Sequence, residues 1–316
     1  MAWFTYWPAE GPDVLDGRVK AALAAGGPVA DFRTQPVAVT RKNFDTGAAA
    51  VPRLKEPLKS VETRTLPQFK IRLYMPEGRG PFPALVFFHG GGWVLGDLES
   101  HDDVCRTIAS RTPAVVVSVD YRLAPEWTFP VPLDDCEAGL RWTVEHAAEL
   151  GIDPARVAVG GDSAGGNLAA ALALRMRDRQ GPRIAFQLLI YPATDYSSKG
   201  GSIDEFSQGY GLTAANMHWF WSVFAPAPAR PDDPEVSPLR AKSLAGLPPA
   251  FIVTAHFDVI RDEGEEYGRK LRDAGVPVTM VRFRQMNHGF IRMGALYPQA
   301  NQALTMCAQA LRTGLQ

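Results

Sequence analysis

The chain reads as an α/β protein, a mostly parallel sheet with helices packed on both faces. Three observations predict this. Short apolar runs at 84–88 and 115–119 lack polar alternation, as strands buried on both faces do, and a further strand reads at 184–191. Helical stretches alternate with those runs along the chain. Finally, an apolar strand at 156–160 leads through Gly161-Asp162-Ser163-Ala164-Gly165-Gly166 into a helix rich in alanine and leucine at 167–176.

In order, residues 1–45 form a segment of their own. Trp3, Phe4, Tyr6 and Trp7 are too apolar to stand bare in water, so they either anchor the N-terminus or join a lid. Helical spacing over 13–25 ends at Gly26-Gly27-Pro28. Alternating runs at 58–66 and 69–75, joined by Pro67-Gln68, predict an antiparallel hairpin. After the strand at 84–88 come a helix over 100–111, the strand at 115–119 and a helix over 134–150 capped by Asp134. The 156–176 unit and the strand at 184–191 follow. Residues 195–240 then interrupt the rhythm with a helix capped by Thr213 and a proline-rich passage, an insertion placed where a cap would be added. The rhythm resumes with a strand at 250–255, a helix over 262–274, a strand at 278–283 and a last helix over 298–312.

The 316 residues suffice for one large α/β domain or two small ones. A net charge of −1 gives no basic surplus for nucleic acid or an anionic membrane. No apolar run is long enough to span a bilayer and no signal peptide is legible, so the expected location is cytoplasmic. Cys105, Cys136 and Cys307 lie far apart, with no metal-ligand spacing, and read as reduced packing residues.

Gly161, Ser163 and Gly165 make G-x-S-x-G. Between a strand and a helix this is the setting of a nucleophilic serine on a strained turn. A serine hydroxyl needs a base, and the base an orienting acid. Chain order and position select His288, in the loop after the last strand, as the base. Asp258, just past the strand at 250–255, is the preferred acid. Asp195 is the runner-up, and Asp262 reads as a helix start. The glycines of His89-Gly90-Gly91-Gly92-Trp93 let backbone N–H groups approach an oxygen closely. Gly91, Gly92 and Ala164 are therefore the expected oxyanion-hole donors, with His89 packing the loop. Alone, 120–126 reads as a loop held by internal ion pairs and a proline.

HGGGW at 89–93, DYRLAPE at 120–126, GDSAGG at 161–166, Asp258 and His288-Gly289-Phe290 together resemble the hormone-sensitive-lipase family of α/β-hydrolases, bacterial carboxylesterase type. The resemblance runs from about residue 57 to the end. It departs at Val259, where similar proteins often carry proline. It implies the α/β-hydrolase fold, with an eight-stranded sheet whose second strand is antiparallel. The catalytic domain would comprise 46–194 and 241–316, with a helical cap from 1–45 and 195–240. It also implies cofactor-free hydrolysis of short-to-medium acyl esters by Ser163, Asp258 and His288, with no metal. Trp93, Trp219, Phe220 and Phe224 are candidates to line the pocket. Amidase or lactonase activity would use the same triad, and a non-catalytic receptor on this scaffold would lack the histidine. The strand at 278–283, if last in the sheet, exposes an edge through which a homodimer is expected.

Overall fold

The computed structural model describes residues 13–316 in full and residues 5–8 as backbone. Trp3 and Phe4 of the aromatic cluster, and the side chains of Tyr6 and Trp7, lie outside the described residues.

The N-terminal segment supplies β1 (Thr5–Pro8), α1 (Gly17–Gly26) and α2 (Val37–Ala49). The antiparallel hairpin of β2 (Ser60–Thr65) and β3 (Lys70–Met75) follows, then β4 (Phe82–Phe88), α3 (Asp102–Arg111) and β5 (Val115–Asp120). Next come α4 (Val131–Glu145), the single turn α5 (Ala147–Leu150), β6 (Ile152–Asp162), α6 (Ala164–Asp178) and β7 (Phe186–Ile190). The insertion carries α7 (Ser202–Glu205) and α8 (Ala214–Phe224). The chain closes with β8 (Ala250–Phe257), α9 (Arg261–Asp273), β9 (Val278–Asn287) and α10 (Pro298–Gly314).

The sheet order is β1-β9-β8-β7-β6-β4-β5-β3-β2, and β3 is antiparallel to both neighbours. Successive residues of one strand feed opposite faces. In β4, Ala84, Val86 and Phe88 join the core under α4, α6 and α9, while Leu85 and Phe87 join the core under α3 and α10. This double burial is why the run lacks alternation, and each large side chain so buried contributes about 1.5–3 kcal/mol.

Two expectations change. β2–β9 are the eight strands expected, the second of them antiparallel, and among the described residues β1 extends the sheet to nine by pairing in parallel with β9, Thr5 opposite Thr279. Residues 278–283 are therefore not the sheet edge, and the homodimer expected there loses the open edge on which it rests. The helix after β5 begins at Val131, where Pro132 suits a first turn that needs no N–H; Asp134 sits inside that turn and pairs with Arg175 at 2.7 Å instead of capping. Thr213 does cap α8, accepting from the Asn216 N–H at 3.1 Å.

The N-terminal segment and the insertion pack on one another. The Asn216 side chain accepts from the Phe32 N–H at 3.0 Å and donates to the Ala30 carbonyl at 2.9 Å. The Phe32 ring meets those of Trp219 and Phe220 edge-on, with centroids 5.6 and 5.4 Å away. The three cysteines are buried and unpaired. No helix among the described residues is long and apolar enough to cross a membrane.

Candidate active site

Ser163 stands between the end of β6 and the start of α6 with φ 56° and ψ −118°, a conformation that costs a non-glycine residue about 1–3 kcal/mol. The turn can be this tight because Gly165 has no side chain: a Cβ there would run into the backbone carbonyl of Phe88. The Ile190 carbonyl accepts from the Ser163 N–H at 2.8 Å, which fixes the turn to β7.

His288 follows β9, with Nε2 2.9 Å from the serine Oγ. Its Nδ1 lies 2.7 Å from Oδ2 of Asp258, which follows β8 and is 1% exposed. The other carboxylate oxygen of Asp258 accepts from the Ile260 N–H at 3.0 Å. Three strand ends thus deliver Ser163, His288 and Asp258 in one hydrogen-bonded chain. Asp195 is instead gripped by Arg240 at 2.6 Å. Asp262, in the first turn of α9, accepts from Arg261 and from the Ser202 N–H.

Facing the serine is the loop after β4. Among the described residues no protein acceptor takes the N–H of Gly91, Gly92 or Ala164, and all three residues line the same cavity as Ser163 and His288. Gly92 has φ 61°, and a Cβ on it would strike the Phe220 ring. The cavity measures about 240 Å³. Its walls come from the N-terminal segment (Val29, Phe32, Phe44), the loop after β4, and the insertion (Leu212, Met217, Phe220).

A family model described as the α/β-hydrolase fold matches residues 85–292. Carboxylic ester hydrolase LipN of Mycobacterium tuberculosis is 43% identical over 77% of this chain and 66% of its own length. Ethyl acetate hydrolase of Pseudomonas putida is 40% identical over 81% and 82%. The hyperthermophilic esterase of Pyrobaculum calidifontis superposes with a TM-score of 0.90 over 95% of this chain and 98% of that one, at 37% identity. The chain belongs to the hormone-sensitive-lipase family of α/β-hydrolases. It is a carboxylesterase of the serine-hydrolase kind.

In this α/β-hydrolase the residue before the serine has a part that the spacing did not suggest. Oδ1 of Asp162 accepts from the Gly90 N–H at 2.9 Å and lies 3.2 Å from Nε2 of His101. Burial pushes the Asp162 carboxyl up, but His101, Arg292 and the Gly90 N–H outweigh it and hold the group below the usual carboxylate range. Asp162 so ties the serine turn to the glycine loop after β4. His89 is the packing residue expected. It is wholly buried and stacked on Tyr121, and burial first, then His101, lowers its pKa to about 4.

The hydrolase loop at 120–126 is not held by internal ion pairs. Arg122 pairs with Asp135 of α4 at 2.7 Å, and Glu126 with Arg41 of α2 at 2.7 Å. Tyr121 donates to the His89 carbonyl at 2.7 Å. Arg41 also donates to the carbonyls of Val94 and Ala124, both at 2.9 Å, so α2 is bolted to the glycine loop after β4.

Of the expected pocket residues, Trp93 and Phe220 line the cavity. Phe224 is buried behind Trp93, stacked on it at 4.4 Å, and Trp219 turns toward Phe32; neither reaches the cavity. Phe32, Phe44, Met217 and Arg292 line it without having been singled out. Their only sequence signal is apolar or cationic character, which many other positions share.

Proposed function

We propose that the enzyme hydrolyses short-to-medium acyl esters through an acyl-enzyme, with Ser163 as nucleophile, His288 as general base and then acid, and Asp258 as its orienting carboxylate. The observation that carries this is the continuous chain Asp258–His288–Ser163, with links of 2.7 and 2.9 Å. His288 takes the hydroxyl proton as Oγ attacks the carbonyl carbon, and Asp258 stabilises the resulting imidazolium. The N–H groups of Gly91, Gly92 and Ala164 receive the tetrahedral oxyanion. The C–O bond to the alcohol breaks, and His288 gives the proton to the departing oxygen. Water then attacks the acyl-enzyme by the same route and releases the acid and Ser163.

Residues 1–45 and 195–240 act as the cap over a core of 46–194 and 241–316. Support comes from their mutual packing through Asn216 and Phe32, and from their shared walls in the cavity. A volume of about 240 Å³ is small for a ligand site, which favours short acyl groups over triglycerides. The name of the Pseudomonas relative, ethyl acetate hydrolase, accords with a small ester. The buried, unpaired thiols fit a reducing compartment such as the cytoplasm.

The test is p-nitrophenyl butyrate hydrolysis by the wild type and by Ser163→Ala. The reading requires turnover by the wild type and a fall to near background in a variant of unchanged circular dichroism. Full activity in Ser163→Ala would remove the nucleophile from the scheme.

A further inference from the structure

We propose that Arg292 gives the cavity an anion subsite, so that the esters this enzyme prefers carry a carboxylate; the proposal rests on the esterase reading above. Arg292 lies in a single turn, Phe290–Met293, four residues beyond the base, and it lines the same cavity as Ser163 and the oxyanion donors. Its guanidinium is held over the Phe44 ring, 4.6 Å from the centroid, and Phe44 lines the cavity too. The residue is half-buried. Its backbone N–H donates to the Gly289 carbonyl at 3.4 Å, but among the described residues its guanidinium makes no hydrogen bond and no ion pair.

That isolation is unusual in a chain whose other cavity-side and cap-side arginines are engaged. Arg41 holds Glu126, Arg53 and Arg72 hold Asp102, and Arg111 holds Glu56. The carboxylates around Arg292 are already committed. Asp162, 2% exposed, receives the Gly90 N–H and faces His101. Glu99 and Asp103 share a small neighbouring cleft with Arg292; Glu99 is held by Arg72 and Arg53, and Asp103 accepts from the N–H groups of Leu54 and Lys55. The other titratable side chains lining the cavity are His101 and His288, and the proposed mechanism requires His288 to start neutral, so Arg292 supplies the uncompensated charge. The charge presented to a substrate is therefore positive.

A guanidinium has five N–H donors and no acceptor, and its planar fork matches a carboxylate. Packed on an aromatic face and partly shielded from water, it is preorganised for such a partner at little further ordering cost. A lone cation balances one negative charge, which suits a carboxylate better than a phosphate dianion. The carboxylate can come from the acyl side, as in a half-ester of a dicarboxylic acid, or from the alcohol side, as in an ester of a hydroxy acid.

The test compares matched anionic and neutral esters with wild type, Arg292→Gln and Arg292→Lys. Mono-p-nitrophenyl glutarate against p-nitrophenyl valerate probes the acyl side. Butyryloxyacetate against butyryloxyacetamide probes the alcohol side. The readout is the ratio of kcat/KM, anionic over neutral, whatever happens to both rates together. In one of the two pairs the ratio should fall tenfold or more in Arg292→Gln, mainly through KM, with partial retention in Arg292→Lys. The wild-type ratio should also fall as salt is raised. Ratios unchanged in both pairs would overturn the proposal and leave Arg292 as a counter-charge for buried Asp162. If folded wild type cleaves none of the four esters, the esterase reading fails. Calorimetry with monomethyl glutarate then decides the subsite alone: binding that Arg292→Gln abolishes upholds it, and no binding to wild type sinks it.

Discussion

Arg41→Met separates two views of what fixes the glycine loop after β4, the proposed oxyanion loop. The arginine makes an ion pair with Glu126, and it donates one hydrogen bond each to the carbonyls of Val94 and Ala124. The ion pair is solvent-facing, with Glu126 54% exposed, and such pairs contribute about 0–1 kcal/mol. Hydrogen bonds from a charged donor contribute roughly 1.5–3 kcal/mol each when dry. Arg41 is 29% exposed, so water can recover part of that, leaving about 1 kcal/mol per carbonyl. The carbonyl bonds therefore dominate, and methionine, which keeps the apolar stem, should cost about 2–3 kcal/mol. At roughly 2 °C per kcal/mol for a chain of this size the melting temperature should fall ~4–6 °C. Glu126→Gln, which removes only the ion pair's charge, should fall by no more than about 2 °C. Val94 lies two residues past Gly92, so a loosened loop should also lower kcat on p-nitrophenyl butyrate by about tenfold, about 1.4 kcal/mol of transition-state stabilisation. Scanning calorimetry and steady-state kinetics on the two variants decide the matter. If Arg41→Met melts with Glu126→Gln and keeps its kcat, the carbonyl bonds do not hold the loop.

Asp258→Asn should lower kcat by about 10⁴ with little change in KM, because an amide no longer fixes the imidazole tautomer; a loss under tenfold would remove Asp258 from its role. Gly92→Ala should lower kcat by roughly 10²–10³, since φ 61° is strained for alanine and the new methyl meets Phe220; pairing it with Phe220→Ala should recover part of the loss if the ring contact matters. Glu263 is buried, and that burial raises its carboxyl to about 8 even though the Thr194 and Asp195 N–H groups donate to it. Above about pH 4.5 the unfolded chain releases this proton while the folded chain keeps it, so the group's contribution to stability declines as pH rises toward 8 and is level beyond. Glu263→Gln should remove that decline, and urea midpoints from pH 5 to 9 should show the variant gaining on the wild type up to about pH 8. A constant difference across that range would contradict the assignment.

That Ser163, Asp258 and His288 would meet was legible because each is a distinct chemical type at a strand end, and strand ends show as the close of apolar runs. That the glycine loop after β4 would face the serine was legible because consecutive glycines are costly unless the backbone itself has work to do. What stayed hidden depends on direction rather than identity. In α8, Trp219, Phe220, Trp221 and Phe224 are alike as letters, yet Phe220 meets Gly92 while Trp219 meets Phe32. A helix apolar on most of its circumference gives no stripe from which to read its facing. Arg41 and Arg292 were unreadable for another reason. Their partners, or lack of them, are set across tens of residues, and ion pairs at that range leave no local pattern. The strand β1 is only four residues long, and α2 opens on β-branched valines that weaken the helical signal.

Ser163 and His288 stand 125 residues apart in the chain. On the ribosome, β6 and α6 emerge long before the base that arms the hydroxyl between them. On the proposed mechanism, a half-made chain therefore carries a serine hydroxyl without its base, unable to take an acyl group from an ester. Chains truncated before His288 share that harmlessness, and reactivity toward a fluorophosphonate probe should appear only in chains that carry both His288 and α10, whose side chains complete the core. The order of the letters works as a safety catch that the folded molecule no longer displays.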